Sequence, residues 1–128
     1  MIQYGCNRKA TCHPSYSGRH ILKRRITMYL EKINSPSDIK KLSVDEMKKL
    51  TQEMRDALIF KLSRHGGHCG PNLGFAEATV ALHYVFDSPV DKIVFDVSHQ
   101  TYCHKMLTGR KDGFLYEEHF DDISGYSN

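Results

Sequence analysis

Two short stretches of this 128-residue chain gather side chains able to do chemistry. The first, Ser63-Arg64-His65-Gly66-Gly67-His68-Cys69-Gly70-Pro71-Asn72-Leu73-Gly74, sets two imidazoles among four glycines and a proline. Glycine lets a backbone turn sharply and approach a ligand closely, and a helix starting after such a turn offers unpaired N–H groups to an anion. Histidine there exchanges protons near neutral pH. A plain glycine-rich turn with solvated histidines has the same composition. A second cluster, Ser98-His99-Gln100-Thr101-Tyr102-Cys103-His104-Lys105, moves the balance toward a site.

The elements that must position these groups are legible from caps and periodicity. Ser35-Pro36-Ser37-Asp38 reads as a capped helix start, with proline at the first position and an acidic residue in the first turn. Ser43 followed three residues later by Glu46 is a capping box and opens a second helix. Met47, Leu50, Met54, Leu58 and Leu62 recur at three- and four-residue steps, so that helix carries an apolar stripe and ends near Arg64. The methionines read as core filler. After the glycine-rich stretch, Phe75 to Phe86 is apolar or small almost all round, which predicts a buried helix. Glu77 and His83 are its polar exceptions, each in need of a partner or a water. His83 reads as a hydrogen-bonded core histidine, and Glu77 as either a surface carboxylate or a group facing the site.

Asp87-Ser88-Pro89 then breaks the helix, and Lys92-Ile93-Val94-Phe95-Asp96-Val97 has the β-branched and aromatic character of a buried strand. A strand following a buried helix predicts the α/β class with a parallel sheet and flanking helices. In that class ligands sit beyond the carboxyl ends of strands, where His99 falls. One strand does not close a sheet, so residues 28–128 are expected to be an incomplete, amino-terminal portion of such a domain.

Charge is divided unevenly. Residues 1–27 carry six basic side chains and no acidic one, so the overall +3 belongs to that tail, and the remaining twelve basic groups are outweighed by all fifteen acidic ones. The body is slightly acidic without a basic stripe, which argues against nucleic acid as a partner. No apolar run approaches the ~20 residues needed to cross a bilayer. Cys6, Cys12, Cys69 and Cys103 include no CxxC pair, and four cysteines in a chain of this length fit reduced thiols in the cytoplasm better than a disulfide framework. Residues 1–27 lack periodicity and are expected to be a disordered basic extension. An organelle-targeting presequence and a segment upstream of a natural start at Met28 both fit; the abrupt onset of pattern at Met28-Tyr29-Leu30 favours the latter.

Several motifs in order, Ile33-Asn34-Ser35-Pro36, His65-Gly66-Gly67-His68, Leu73-Gly74, Glu77 to Phe86, Phe95-Asp96-Val97-Ser98-His99-Gln100 and His104-Lys105-Met106-Leu107-Thr108-Gly109-Arg110, carry a resemblance. From about residue 29 to 128 the sequence resembles the amino-terminal part of the 1-deoxy-D-xylulose-5-phosphate synthase family, thiamine-diphosphate enzymes related to transketolase. The resemblance implies the amino-terminal portion of a thiamine-diphosphate-binding domain. It also implies condensation of pyruvate with glyceraldehyde 3-phosphate, with loss of carbon dioxide, feeding isoprenoid, thiamine and pyridoxal synthesis. It makes His68 the catalytic histidine beside the thiazolium and His99 a cofactor-binding residue. It gives His104 and Lys105 a motif but no role, and makes Glu77 structural.

The family pattern departs here at three positions: Ser98 stands where glycine is common, and Cys69 and Cys103 where an aromatic and a proline are common. The family's Gly-Asp-Gly motif, which with a downstream asparagine holds magnesium against the diphosphate, does not occur in the chain. The resemblance therefore implies magnesium ligands beyond residue 128, a homodimer for the intact enzyme and inactivity for this chain alone. Two other readings stay open on residue types: a zinc module using His65, His68, Cys69, His99, Cys103 and His104, and a small interaction domain with a basic tail.

Overall fold

The structure, a computed structural model, describes residues 29–127. The expected disordered extension over residues 1–27 and the start at Met28 lie outside them.

The longest element, α1 (Val44–His65), forms where the capping box predicts. The Ser43 N–H donates to Glu46 Oε2 at 2.8 Å, and the Glu46 N–H returns to Ser43 Oγ at 3.4 Å. Its stripe does what the periodicity requires: Leu50, Met54 and Leu58 are fully buried, with Met47 and Leu62 packed against the same core. Ahead of α1, the helix predicted from Ser35-Pro36 is a 3-10 turn, Pro36–Lys41. The Asp38 carboxylate accepts the Asn34 and Ser35 N–H groups at 3.2 and 3.1 Å. Glu53, buried on α1, accepts the Tyr29 and Leu30 N–H groups at 2.9 and 2.8 Å and so ties the start of the described chain to the core.

Gly66 ends α1. Its φ of 83° is one that L side chains rarely adopt, and its N–H returns to the Leu62 carbonyl at 3.1 Å. A short turn of helix, α2 (Gly70–Gly74), and then α3 (Ala76–Val85) follow. A 3-10 turn at Leu30–Lys32, the start of α1 and α3 enclose one core with the carboxyl-terminal half: Leu30, Ile39, Ala76, Met106, Leu107 and Phe114 are all inaccessible. That half is built from α4 (Tyr102–Lys105), a wide turn over Met106–Arg110 kinked at Thr108 and Gly109, α5 (Asp112–Leu115) and a 3-10 turn over Glu117–Asp122.

Two expectations are corrected. The strand expected over Lys92–Val97 does not form, and no strand occurs among the described residues, so their architecture is helical and the parallel sheet is absent from them. A strand is stabilised by the N–H and C=O groups of a neighbour, and the described residues offer no second extended run to pair with. Likewise α3 is buried on one face only. Ala76, Thr79, Val80 and His83 face the core, while Tyr84, Val85 and Phe86 are exposed, because the described residues pack against a single side of the helix.

Candidate active site

The loop leaving α1 and the loop entering α4 meet, and they bring His68 and His99 together. Their ring centroids lie 5.6 Å apart with planes at 77°, an edge-to-face pair, and both side chains are partly buried. The two residues to which the resemblance gives separate roles are therefore neighbours in the fold. Gly67 makes the approach possible. Its φ is 129°, and a Cβ there would stand 2.8 Å from the Tyr102 hydroxyl and 2.9 Å from Leu62 Cδ2, inside contact distance of both. Any side chain would push the His68 loop off Tyr102.

Three further residues complete the walls, and none was singled out by the sequence reading. Asn72, fully buried on α2, donates through Nδ2 to the His68 carbonyl at 2.7 Å and to the His99 carbonyl at 2.8 Å; its Oδ1 accepts the Tyr102 N–H at 2.9 Å. Tyr102, buried on α4, and Tyr126 both lie against the His68 ring, at centroid distances of 6.4 and 5.2 Å. Tyr126 is held there by Lys105, whose ammonium donates to the Tyr126 carbonyl and to Ser124 O and Oγ at 2.9 and 3.1 Å. Burial pulls the Lys105 pKa down to about 8, with Arg110 and Lys61 adding repulsion. No sequence signal singled out Asn72, because its burial and its three partners appear only once the two loops meet.

The approach to His99 is a strained turn. Ser98 N–H donates to the Asp96 carbonyl at 2.6 Å, closing a three-residue turn on Val97, and both Val97 (φ 57°) and Ser98 (φ 65°) are left-handed. Left-handed backbone is unusual for a β-branched residue and is natural to glycine, which accounts for glycine being common at the Ser98 position in the resembling family. Thr101, also inaccessible, donates its hydroxyl to the Ser98 carbonyl at 2.8 Å and fixes the entry to α4.

A second histidine pair lies behind the first. His83 on α3 and His104 on α4 stack at 5.0 Å and 19°, and His83 Nε2 and His104 Nδ1 share a hydrogen bond of 2.9 Å. Burial lowers both pKa values, that of His104 to about 4 with added repulsion from His83 and Arg110, so both rings are neutral at neutral pH. His83 is thus the hydrogen-bonded core histidine that its position predicts. Glu77 is exposed and forms a two-pronged ion pair with Arg55, which also donates to the Leu73 carbonyl at 3.1 Å; this bonding holds the Glu77 pKa below its ordinary range. It braces α3 against α1, away from the imidazoles.

The residues of the zinc reading do not gather. His65 pairs with Asp121, His104 with His83, and Cys103 is buried with its thiol against the Asn72 carbonyl, its pKa pushed up to about 12 by burial. Among the described residues no three or more His, Cys, Asp or Glu side chains come together to hold a metal. No described helix is long and apolar enough to cross a membrane.

The family model described as 1-deoxy-D-xylulose-5-phosphate synthase matches residues 30–128. The chain belongs to the 1-deoxy-D-xylulose-5-phosphate synthase family. Relatives so named include those of Caldanaerobacter subterraneus subsp. tengcongensis, 53% identical over 98 residues, and Thermomicrobium roseum, 56% identical over 100 residues. Each alignment covers 77% of this chain and 16% of the relative. A third, from Acidobacterium capsulatum, is 59% identical over 85 residues, 66% of this chain and 14% of the relative. This member of the 1-deoxy-D-xylulose-5-phosphate synthase family therefore spans about a sixth of the length of the curated relatives it matches, and that sixth contains both histidine clusters.

Proposed function

We propose that this chain supplies the amino-terminal wall of a thiamine-diphosphate site and serves the synthesis of 1-deoxy-D-xylulose 5-phosphate from pyruvate and glyceraldehyde 3-phosphate, with loss of carbon dioxide. The juxtaposition of His68 and His99 carries this reading, together with family membership. The residues present fit part of the cofactor: His99 Nδ1 is buried with no hydrogen-bond partner among the described residues, as His83 Nδ1 also is, and of the two it is the one beside His68, where a ligand's polar group would satisfy it. They do not fit its magnesium, since no carboxylate cluster accompanies the pair. Mg2+ is thus held by groups outside the described residues.

When bound, thiamine diphosphate supplies the electron sink for decarboxylation of the keto acid. The chain's own part is binding and proton transfer. His68, beside His99 and flanked by the rings of Tyr102 and Tyr126, gives or takes a proton at a substrate oxygen, a contribution of about 10²- to 10⁴-fold. His99 orients the cofactor. The apolar run Lys92–Val97, with Val94 90% exposed here, pairs into the parallel sheet of the longer protein, which is cytoplasmic and dimeric.

The test replaces the aligned segment of the Thermomicrobium roseum relative with residues 30–128 of this chain. The chimera is expected to form 1-deoxy-D-xylulose 5-phosphate, whereas the 128-residue chain alone shows no micromolar binding of thiamine diphosphate by calorimetric titration. A folded chimera that makes no product, or micromolar binding by the chain alone, contradicts the proposal.

A further inference from the structure

The geometry points to Asn72 as the positioning residue that sets the spacing of the His68–His99 pair. This role rests on the reading of those two histidines as the site. One side chain reaches three backbone groups on two separate loops: the carbonyl of His68, the carbonyl of His99 and the N–H of Tyr102. Its two amide protons serve the two carbonyls and its oxygen serves the N–H, so the donors and the acceptor are all engaged and the amide can sit only one way round.

No other residue type does this in the same space. Aspartate keeps the acceptor for Tyr102 but turns two attractions into repulsions between oxygens. Leucine keeps the volume and leaves three backbone groups unpaired in an interior where Asn72 is fully inaccessible. Alanine removes the tie altogether. The bonds fall on the backbone atoms of the histidines themselves, so Asn72 fixes where each ring starts from without touching its nitrogens. Those nitrogens stay available for chemistry.

A residue that merely stabilised the fold would loosen everything alike, and the second histidine pair distinguishes the cases. In the 128-residue chain, nuclear Overhauser contacts between the His68 and His99 ring protons are expected to fall at least threefold in Asn72→Ala and Asn72→Asp, while those between His83 and His104 persist. Retention of both sets overturns the role. Loss of both sets means the variant has unfolded, and the unsubstituted chain then decides. Slow exchange of the Asn72 side-chain amide protons, with contacts to His68, His99 and Tyr102, upholds the tie; fast exchange without them overturns it.

Kinetics in the chimera separate this role from the reading beneath it. Asn72→Ala is expected to lower kcat about tenfold or more at saturating cofactor, because small misplacements of reacting groups cost rate while leaving binding nearly intact. Loss of the ring contacts with kcat unchanged would leave the tie standing and refute the assignment of the histidine pair as the site.

Discussion

The two imidazoles differ in what surrounds them, and the difference supports the proposed division of their work. His68 has aromatic rings on two sides and its carbonyl tied down, which suits proton transfer at a substrate held against it. His99 has a buried ring nitrogen with no hydrogen-bond partner among the described residues, which suits a ligand contact. Next to it, Ser98 holds a left-handed backbone at φ 65°, and its hydroxyl accepts the Ser127 N–H at 3.0 Å. Relief of left-handed strain, about 1–2 kcal/mol, outweighs loss of that single hydrogen bond, about 0.5–1.5 kcal/mol. Ser98→Gly is therefore expected to raise stability by about 0.5 kcal/mol in urea unfolding, and a lowered midpoint would place the strain elsewhere. His68 and His99 were legible in the sequence because glycine and histidine together are conspicuous. Asn72, Tyr102 and Tyr126 were not, because their importance comes from which backbone atoms the fold brings to them, and a buried amide looks like any turn asparagine until its partners are known.

Among the elements, α1 was legible almost to the residue, since its capping box, its apolar stripe and the glycine that ends it are all local signals. The strand expected over Lys92–Val97 does not form among the described residues for the opposite reason: composition reports suitability for a sheet, whereas a ladder requires a neighbour. The extent of burial of α3 was overestimated because apolar composition does not say how many sides are covered. The contact of α3 with α4 through His83 and His104 carries a pH dependence of definite sign. Both folded pKa values lie below the ordinary histidine value, so the pair contributes stability that is present above about pH 6.5 and is lost as pH falls toward about 4. His119, exposed beside Asp122 with a raised pKa, works weakly in the other direction, and Asp38, held down to about 2 first by Lys41, loses its contribution only at lower pH. The expected result is a fall in the thermal midpoint between pH 6.5 and 4 that His104→Gln flattens. An unchanged slope in that variant would mean the pair is solvated rather than buried.

At the scale of the molecule, the chain covers about a sixth of the length of the relatives it matches. Val85, Val90 and Val94 are exposed at 66%, 80% and 90% on the stretch of chain that leads into His99. The core, by contrast, is closed: α1, α3 and α4 pack without help from outside, and buried Lys61 donates to the Gly113 and Phe120 carbonyls at 3.0 and 2.6 Å to hold the carboxyl-terminal turns in place. The His68–His99 pair therefore sits beside a buried core. Its assignment is tested most directly by cofactor titration and turnover of the chimera carrying His68→Ala or His99→Ala. His99→Ala is expected to weaken thiamine-diphosphate binding by up to about tenfold, the loss of one ligand hydrogen bond. His68→Ala is expected to leave binding within about twofold and cut kcat by about 10²- to 10⁴-fold. Turnover and affinity unchanged in both variants would contradict the account.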